Sequence, residues 1–377
     1  MMVNIIKFLQ KWFYDIDRVT LCFIFSLMSL GIAMSLSVSP AIGGRIHISS
    51  YHFAIRHILF LFIGIIAMLF CSMLSKNAIL NLSYIGYIFC IFALILVLLI
   101  SGTIKGSHRW INLGFFALQP AEIMKPFFII INAHFLSVAR MNKNIPIFSI
   151  ISFIFLLFLL VLEPDYGSSV IYCLVWFVQI VLGNSQLAVI GLSMIILMLA
   201  LGVIGFFFSS HFHYRILNFV LMRGGHEQYQ TKKALEGIFN GGFFGKGFGE
   251  GEVKYQLPDL HTDYIFSVIC EEFGAIFAII LIASVSIFAY RHLASNFLSK
   301  KYEIRVIYGL VLMFALQSYI HIAVNINLLP SKGMTLPFIS YGGSSMLSNA
   351  IIFGFLLAFT RKSYDYKSPY NCLKVVV

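Results

Sequence analysis

Charge is scarce in this chain, and negative charge scarcest. Of 377 residues, 15 are Asp or Glu and 26 are Lys or Arg, so 11% are charged, where a soluble domain carries about a quarter. Hydrophobic residues make up 60% and the mean hydropathy is +0.92, which excludes an ordinary soluble domain and leaves an integral membrane protein. Cysteine pairs are also missing. Cys22, Cys71, Cys90, Cys173, Cys270 and Cys372 form no Cys-x-x-Cys motif, and five of them lie in or beside apolar segments. They read as small core residues, which excludes a disulfide framework and a cysteine metal site. Runs of basic residues are absent, so nucleic acid is excluded as a partner and the net charge of +11 is first a topology signal. With no internal repeat, linker or low-complexity tract, residues 1–377 read as one polytopic membrane domain.

What is present is a series of long apolar runs. A crossing helix needs about 20 apolar residues, and ten stretches qualify: 19–38, 54–75, 80–101, 122–139, 146–162, 168–183, 186–209, 263–290, 304–324 and 344–360. Lys7, Lys11 and Arg18 precede the first run, which is long enough to be an uncleaved span. The expected fold is an all-α integral membrane protein with about ten transmembrane helices and one long extracytoplasmic loop at about 210–262. An even count puts both termini on one side. Placing them in the cytoplasm collects Lys7, Lys11, Arg18, Lys76, Arg140, Lys143, Arg291, Lys300, Lys301, Arg305, Arg361, Lys362, Lys367 and Lys374 inside. The short outer loops then hold only Arg45, Arg56, Lys105, Arg109, Lys125 and Lys332, as the positive-inside rule requires. Polar complexity concentrates on the outer side, so a chemistry-bearing surface is expected there.

Several clusters stand out on that side, each with a structural alternative. In "GSHRWINLGFFALQPAEIMK" (Gly106–Lys125), Gln119-Pro120 marks a helix start. Glu122 and Lys125 are three apart on one helix face, either as a structural ion pair or lining a wet cavity, while Arg109 could snorkel to headgroups. "LEPDYGSS" (Leu162–Ser169) carries Asp165 in a pattern that also makes an ordinary tight turn. "NGGFFGKGFGEG" (Asn240–Gly251) suggests a phosphate loop but fails the pattern. Asn240 stands at the first glycine position and Gly247 at the Ser/Thr position, which leaves a flexible or tightly turned loop bearing Lys246. His211 and His213 lack a third ligand, so no metal site is expected.

The acids in "LPDLHTDYIFSVICEE" (Leu257–Glu272) are the oddest feature. Asp263 sits where a helix N-cap belongs, and capping is its structural reading. Glu271 and Glu272 lie about 12 Å further along the same helix, where buried carboxylates cost several kcal/mol unless paired or wet. The stretch Asn325–Ser345, rich in Pro, Gly and Ser yet apolar, reads as a re-entrant, packed segment.

Taken together and in order, these clusters resemble the SEDS family of bacterial cell-wall synthesis (shape, elongation, division and sporulation). The resemblance covers nearly all of the chain after the first span. It rests on Arg109-Trp110, Gln119-Pro120-x-Glu122-x-x-Lys125, Pro164-Asp165-x-Gly167, Tyr229-Gln230, Gly241–Gly249, His261-Thr262-Asp263, Glu271-Glu272-x-Gly274 and Pro337-Phe338-x-Ser340-Tyr341-Gly342-Gly343-Ser344-Ser345. "LLPSKGMTLPFISYGGSS" is more similar to the division branch than to the elongation branch. Glu163 departs from the usual glutamine, and Ala121 from the usual serine.

The resemblance implies a ten-span protein of the cytoplasmic (inner) membrane that polymerises lipid II on the periplasmic face during cell division. The implied partners are a class B penicillin-binding protein, a transpeptidase, and other division-complex proteins. It also implies that Asp263 is catalytic. The chemistry suits that role, since a diphosphate leaves readily and the acceptor hydroxyl chiefly needs a base. Arg109, Lys125 and Lys246 are candidate diphosphate ligands, with Glu122, Asp165 and Ser344 lining the cavity and His261, Glu271 and Glu272 orienting it. No cofactor is identifiable; a divalent cation could share the diphosphate charge, but no ligand set marks one. Three alternatives stay open: a lipid II flippase, an elongation-type polymerase and a non-catalytic division scaffold.

Overall fold

The computed structural model describes residues 10–100, 109–112, 114, 117–141, 146–182, 192, 226–294, 301–330 and 333–361. Its helices are α1 (Arg18–Arg45), α2 (His52–Met73), α3 (Lys76–Ile100), α4 (Pro120–Met141), α5 (Ile147–Leu162), α6 (Tyr166–Val181), α7 (His226–Asn240), α8 (Ile265–Leu293), α9 (Lys301–Asn325) and α10 (Gly343–Thr360). Seven are long and apolar enough to cross a membrane, and α5 and α6 are shorter apolar helices. These nine coincide with nine of the ten expected spans; the other, 186–209, lies almost wholly outside the described residues, as do His211 and His213. Within this all-α architecture the described residues include one short antiparallel ribbon, pairing Ile111–Asn112 (β1) with Ala117–Leu118 (β2).

The apolar stretches of α4, α9 and α10 are 78%, 67% and 78% buried in the protein, against 28–33% in α1, α2, α3 and α8. The first three therefore form the centre, and the others turn wide apolar faces to lipid. Polar links cross the centre: Asn132 Nδ2 donates to Gln179 Oε1 at 2.7 Å, and Gln179 Nε2 donates to the carbonyls of Ile129 and Arg305.

Two ionic layers set the depth of every other feature. On the face opposite Asp263, Arg291 pairs with Asp17 at 2.8 Å and Lys76 with Glu303 at 2.9 Å. Toward the Asp263 face, Lys254 pairs with Glu272 at 3.0 Å, and both also bond Ser37. Asp17 to Ser37 is 20 residues of α1, about 30 Å, and Glu272 to Arg291 is 19 residues of α8, about 28 Å. Both equal the roughly 30 Å of a hydrocarbon core. On that spacing Glu271 and Glu272 fall at one edge of a layer of this thickness. Asp263 stands beyond it.

The glycine-rich loop is tightly turned and interlocked with α8. At Gly274 (φ 83°, ψ 173°) the helix kinks, which would strand carbonyls one turn earlier. The loop supplies their partners: Lys246 N donates to Glu271 O at 2.9 Å and Gly247 N to Glu272 O at 3.1 Å. These amides are therefore occupied and unavailable to an anion. The approach is close enough that a Cβ on Gly274 would sit 2.3 Å from Phe243 O, and one on Gly245 2.2 Å from Glu272 O. Such a backbone region is essentially restricted to glycine. Gly274→Ala is expected to cost about 2–4 kcal/mol from strain plus overpacking, read as a lowered thermal unfolding midpoint in detergent; an unchanged midpoint would contradict the interlock.

Candidate functional site

Asp263 ends a turn over 258–263 that leads into α8, and its own N–H donates to Asp259 O at 3.0 Å. The expected capping role falls elsewhere. Tyr264 is the N-cap residue of α8 and makes no side-chain cap bond. The N–H of Ser267, in the first turn, instead donates to Asn325 Oδ1 at 3.1 Å, from the end of α9. Asn325 Nδ2 donates to the Asp263 carbonyl at 2.9 Å. Asp263 is half-buried, and Gly333 runs beside its carboxylate, where a Cβ would lie 3.9 Å from Oδ2.

The 333–342 segment is non-helical and largely buried, as a re-entrant stretch must be when it packs against protein. It closes over the catalytic-candidate turn: Tyr341 N donates to His261 O at 2.8 Å, and the His261 ring lies 5.5 Å from that of Tyr341 and 4.9 Å from that of Phe53. Beside them is a small pocket bounded by Ser39, Phe53, His261, Ile265 and Tyr341 among others.

The remaining candidates form three further groups. Lys125 Nζ donates to Glu122 Oε1 at 2.6 Å and to Gln317 Oε1 at 2.9 Å, with the lysine side chain 2% exposed. Gln317 Nε2 then reaches Thr335 O and Ser345 Oγ. Gln317 is 14 residues from Glu303, about 21 Å, so this pair does lie within hydrocarbon depth. Ser344 accepts from Gln119 N at 2.9 Å and fixes the β-ribbon end. Arg109 Nε donates to Glu163 O and Nη2 to Pro164 O, and Nη1 lies 3.9 Å from Asp165 Oδ1. Asp165 caps α6 through Ser168 N and Ser168 Oγ. Lys246 lies 3.3 Å from Glu271 and 3.5 Å from Glu252, while Glu271 also accepts from the N–H groups of Glu252 and Val253. Glu271 and Glu272 thereby clamp the loop to the helix. Sequence reasoning missed Ser37, Lys254, Gln317, His321 and Asn325. The last three recur every four residues along α9, a polar stripe on one face of an apolar helix. Among the described residues no cluster of His, Cys, Asp and Glu could hold a metal.

A multi-pass helical membrane protein with an aspartate at the mouth of a packed re-entrant segment is the class these features define. The cell cycle protein family of FtsW, RodA and SpoVE matches residues 18–365, and the chain belongs to that family. It is 36% identical to the probable peptidoglycan glycosyltransferase FtsW of Caulobacter vibrioides, over 94% of this chain and 91% of that one. It is 33% identical to the protein so named in Coxiella burnetii, over 92% and 96%. Among solved structures, it resembles a chain of a peptidoglycan synthase complex that coordinates polymerization and crosslinking, with a TM-score of 0.73 at 21% identity over 93% of this chain and 99% of that one. It also resembles the rod shape determining protein RodA of Thermus thermophilus, with a TM-score of 0.64 at 20% identity over 92% and 97%.

Glu163 is fully buried, and neither carboxylate oxygen has a hydrogen-bond partner among the described residues. Burial first, then the neighbouring Asp165 charge, pushes its pKa up to about 8, with Arg109 opposing. A carboxyl raised on folding binds more protons folded than unfolded between its ordinary value and about 8, so stability falls as pH rises through that window. Glu163→Gln is expected to raise the free energy of unfolding at pH 8.5 by on the order of 1–3 kcal/mol, read as a raised thermal midpoint, and to leave it unchanged near pH 4. A shift of equal size at both pH values would contradict this.

Proposed function

We propose that the chain is a peptidoglycan glycosyltransferase that polymerises lipid II during cell division, with Asp263 as general base. Asp263 takes the proton of the acceptor sugar hydroxyl as its oxygen bonds to the donor's anomeric carbon, and the polyprenyl diphosphate leaves with the electron pair. The observation that carries this reading is a half-buried carboxylate just ahead of α8, on a turn held by Asn325 and Tyr341. The family membership and the relatives named FtsW support the reaction class and the division role.

Of the candidate cations, Arg109 suits the diphosphate better than Lys125. Its side chain is 17% exposed and retains N–H groups beyond its carbonyl contacts, whereas Lys125 is enclosed by Glu122 and Gln317. Lys246 is partly exposed in its loop and can serve as a second contact. Glu122, Lys125 and Ser344 then shape the site by holding the re-entrant segment. The Asp263 face is the periplasmic one in this reading, with both termini in the cytoplasm and the inner membrane as location. A class B penicillin-binding protein is the proposed partner, in keeping with the synthase complex whose chain shares this fold.

The test is synthesis by purified protein with its transpeptidase, from lipid II already in detergent. Wild type is expected to make polymer, and Asp263→Asn to lose on the order of 10²–10⁴-fold in rate at an unchanged unfolding midpoint. Full synthesis by that variant would remove the assigned base, and no polymer from wild type would favour a flippase or scaffold.

A further inference from the structure

The stripe on α9 joins parts of the site that no single other element reaches. Gln317 meets Lys125 and the re-entrant segment, and the His321 ring lies 2.6 Å from Met334 O through Nδ1. Asn325 meets the turn that carries Asp263. All three are essentially inaccessible to solvent.

Asn325 is the most fully committed of them. Oδ1 accepts from Ser267 N at 3.1 Å and Ser267 Oγ at 2.9 Å, and Nδ2 donates to Asp263 O at 2.9 Å and His321 O at 2.8 Å. Two donors and two acceptor sites are all that a carboxamide has. One half of the group therefore acts as a helix cap supplied from a different helix, and the other half fixes the Asp263 peptide. The Ser267 N–H also donates to Tyr264 O at 3.1 Å, so Asn325 braces the first turn of α8 together with its own backbone.

Resting on the reading of Asp263 as the base, we propose that Asn325 is a positioning residue that ties the first turn of α8 to the Asp263 peptide and thereby sets where the Asp263 carboxylate meets the acceptor hydroxyl. It touches no substrate. Its effect is exerted on the approach geometry, where a misplacement of about 1 Å can cost on the order of 10²-fold.

The test compares Asn325→Asp, Asn325→Leu and Ser267→Ala in the polymerisation assay, with kcat and KM determined separately and the folded fraction measured by size exclusion and thermal unfolding. Asn325→Asp keeps both acceptor contacts to Ser267 but loses the donors to Asp263 O and His321 O. Asn325→Leu is uncharged and loses all four bonds, so the pair separates lost geometry from added charge. Per folded molecule, kcat is expected to fall about 10–100-fold in both, with KM within about twofold, while Ser267→Ala stays near wild type. Wild-type kcat in either Asn325 variant, or a loss fully explained by fewer folded molecules, would overturn the proposal. Asp263→Asn distinguishes the two levels. If it is inactive while the Asn325 variants are unaffected, only the positioning role falls; if it is active, the base assignment falls and takes this one with it.

Discussion

The buried pair of Lys254 and Glu272 sets the register of the whole extracytoplasmic architecture. The ammonium has three protons and uses them on Glu272 Oε1, Ser37 Oγ and Gly249 O. That joins α1, α8 and the glycine-rich loop at one point inside protein, with the two charged side chains 2% and 0% exposed. A buried ion pair adds little net stability, because desolvation offsets most of the attraction. Its consequence is positional: only one alignment of these three elements satisfies all the partners. The helix beyond it then carries Asp263 a fixed distance past that level.

From that level upward the fold repeatedly solves one problem, an irregular backbone close to a membrane. The kink at Gly274 frees carbonyls, and loop amides take them. The start of α8 needs a cap, and Asn325 provides it. The 333–342 segment is non-helical, and its contacts with Gln317, His321 and His261 tie it to neighbouring elements. The acidic residues near the membrane thus divide in kind. Glu122, Glu271 and Glu272 hold the frame through lysines, Asp165 caps a helix, and Asp263 is the one whose turn is held by others.

Much of this was legible in the sequence because hydropathy and helix length are local properties. The nine described spans follow from apolar runs alone, and the re-entrant segment from Pro, Gly and Ser in an apolar context. Depth was not legible. Glu271 and Glu272 read as intramembrane because they fall inside the apolar run 263–290, and nothing local says where lipid begins. That information lies in contacts such as Asp17 with Arg291, separated by 274 residues. The cap on α8 was misassigned for the same reason, since spacing along one helix cannot reveal a donor or acceptor arriving from another. The stripe of Gln317, His321 and Asn325 was within reach, as polar residues at intervals of four in an apolar helix.

The most direct measurement is depth. Nitroxide labels on cysteines placed singly at Phe244, Ile279 and Tyr290, all exposed side chains, can be ranked by collision with oxygen and with a water-soluble relaxant in bilayers, native cysteines being replaced. Phe244, level with Glu272, is predicted to report the lipid–water boundary, Ile279 to lie roughly 10 Å inside it, and Tyr290 to report the opposite boundary. A label at Phe244 as deep as that at Ile279 would put Glu272 within the hydrocarbon, and with it would go the claim that Asp263 stands clear of the membrane.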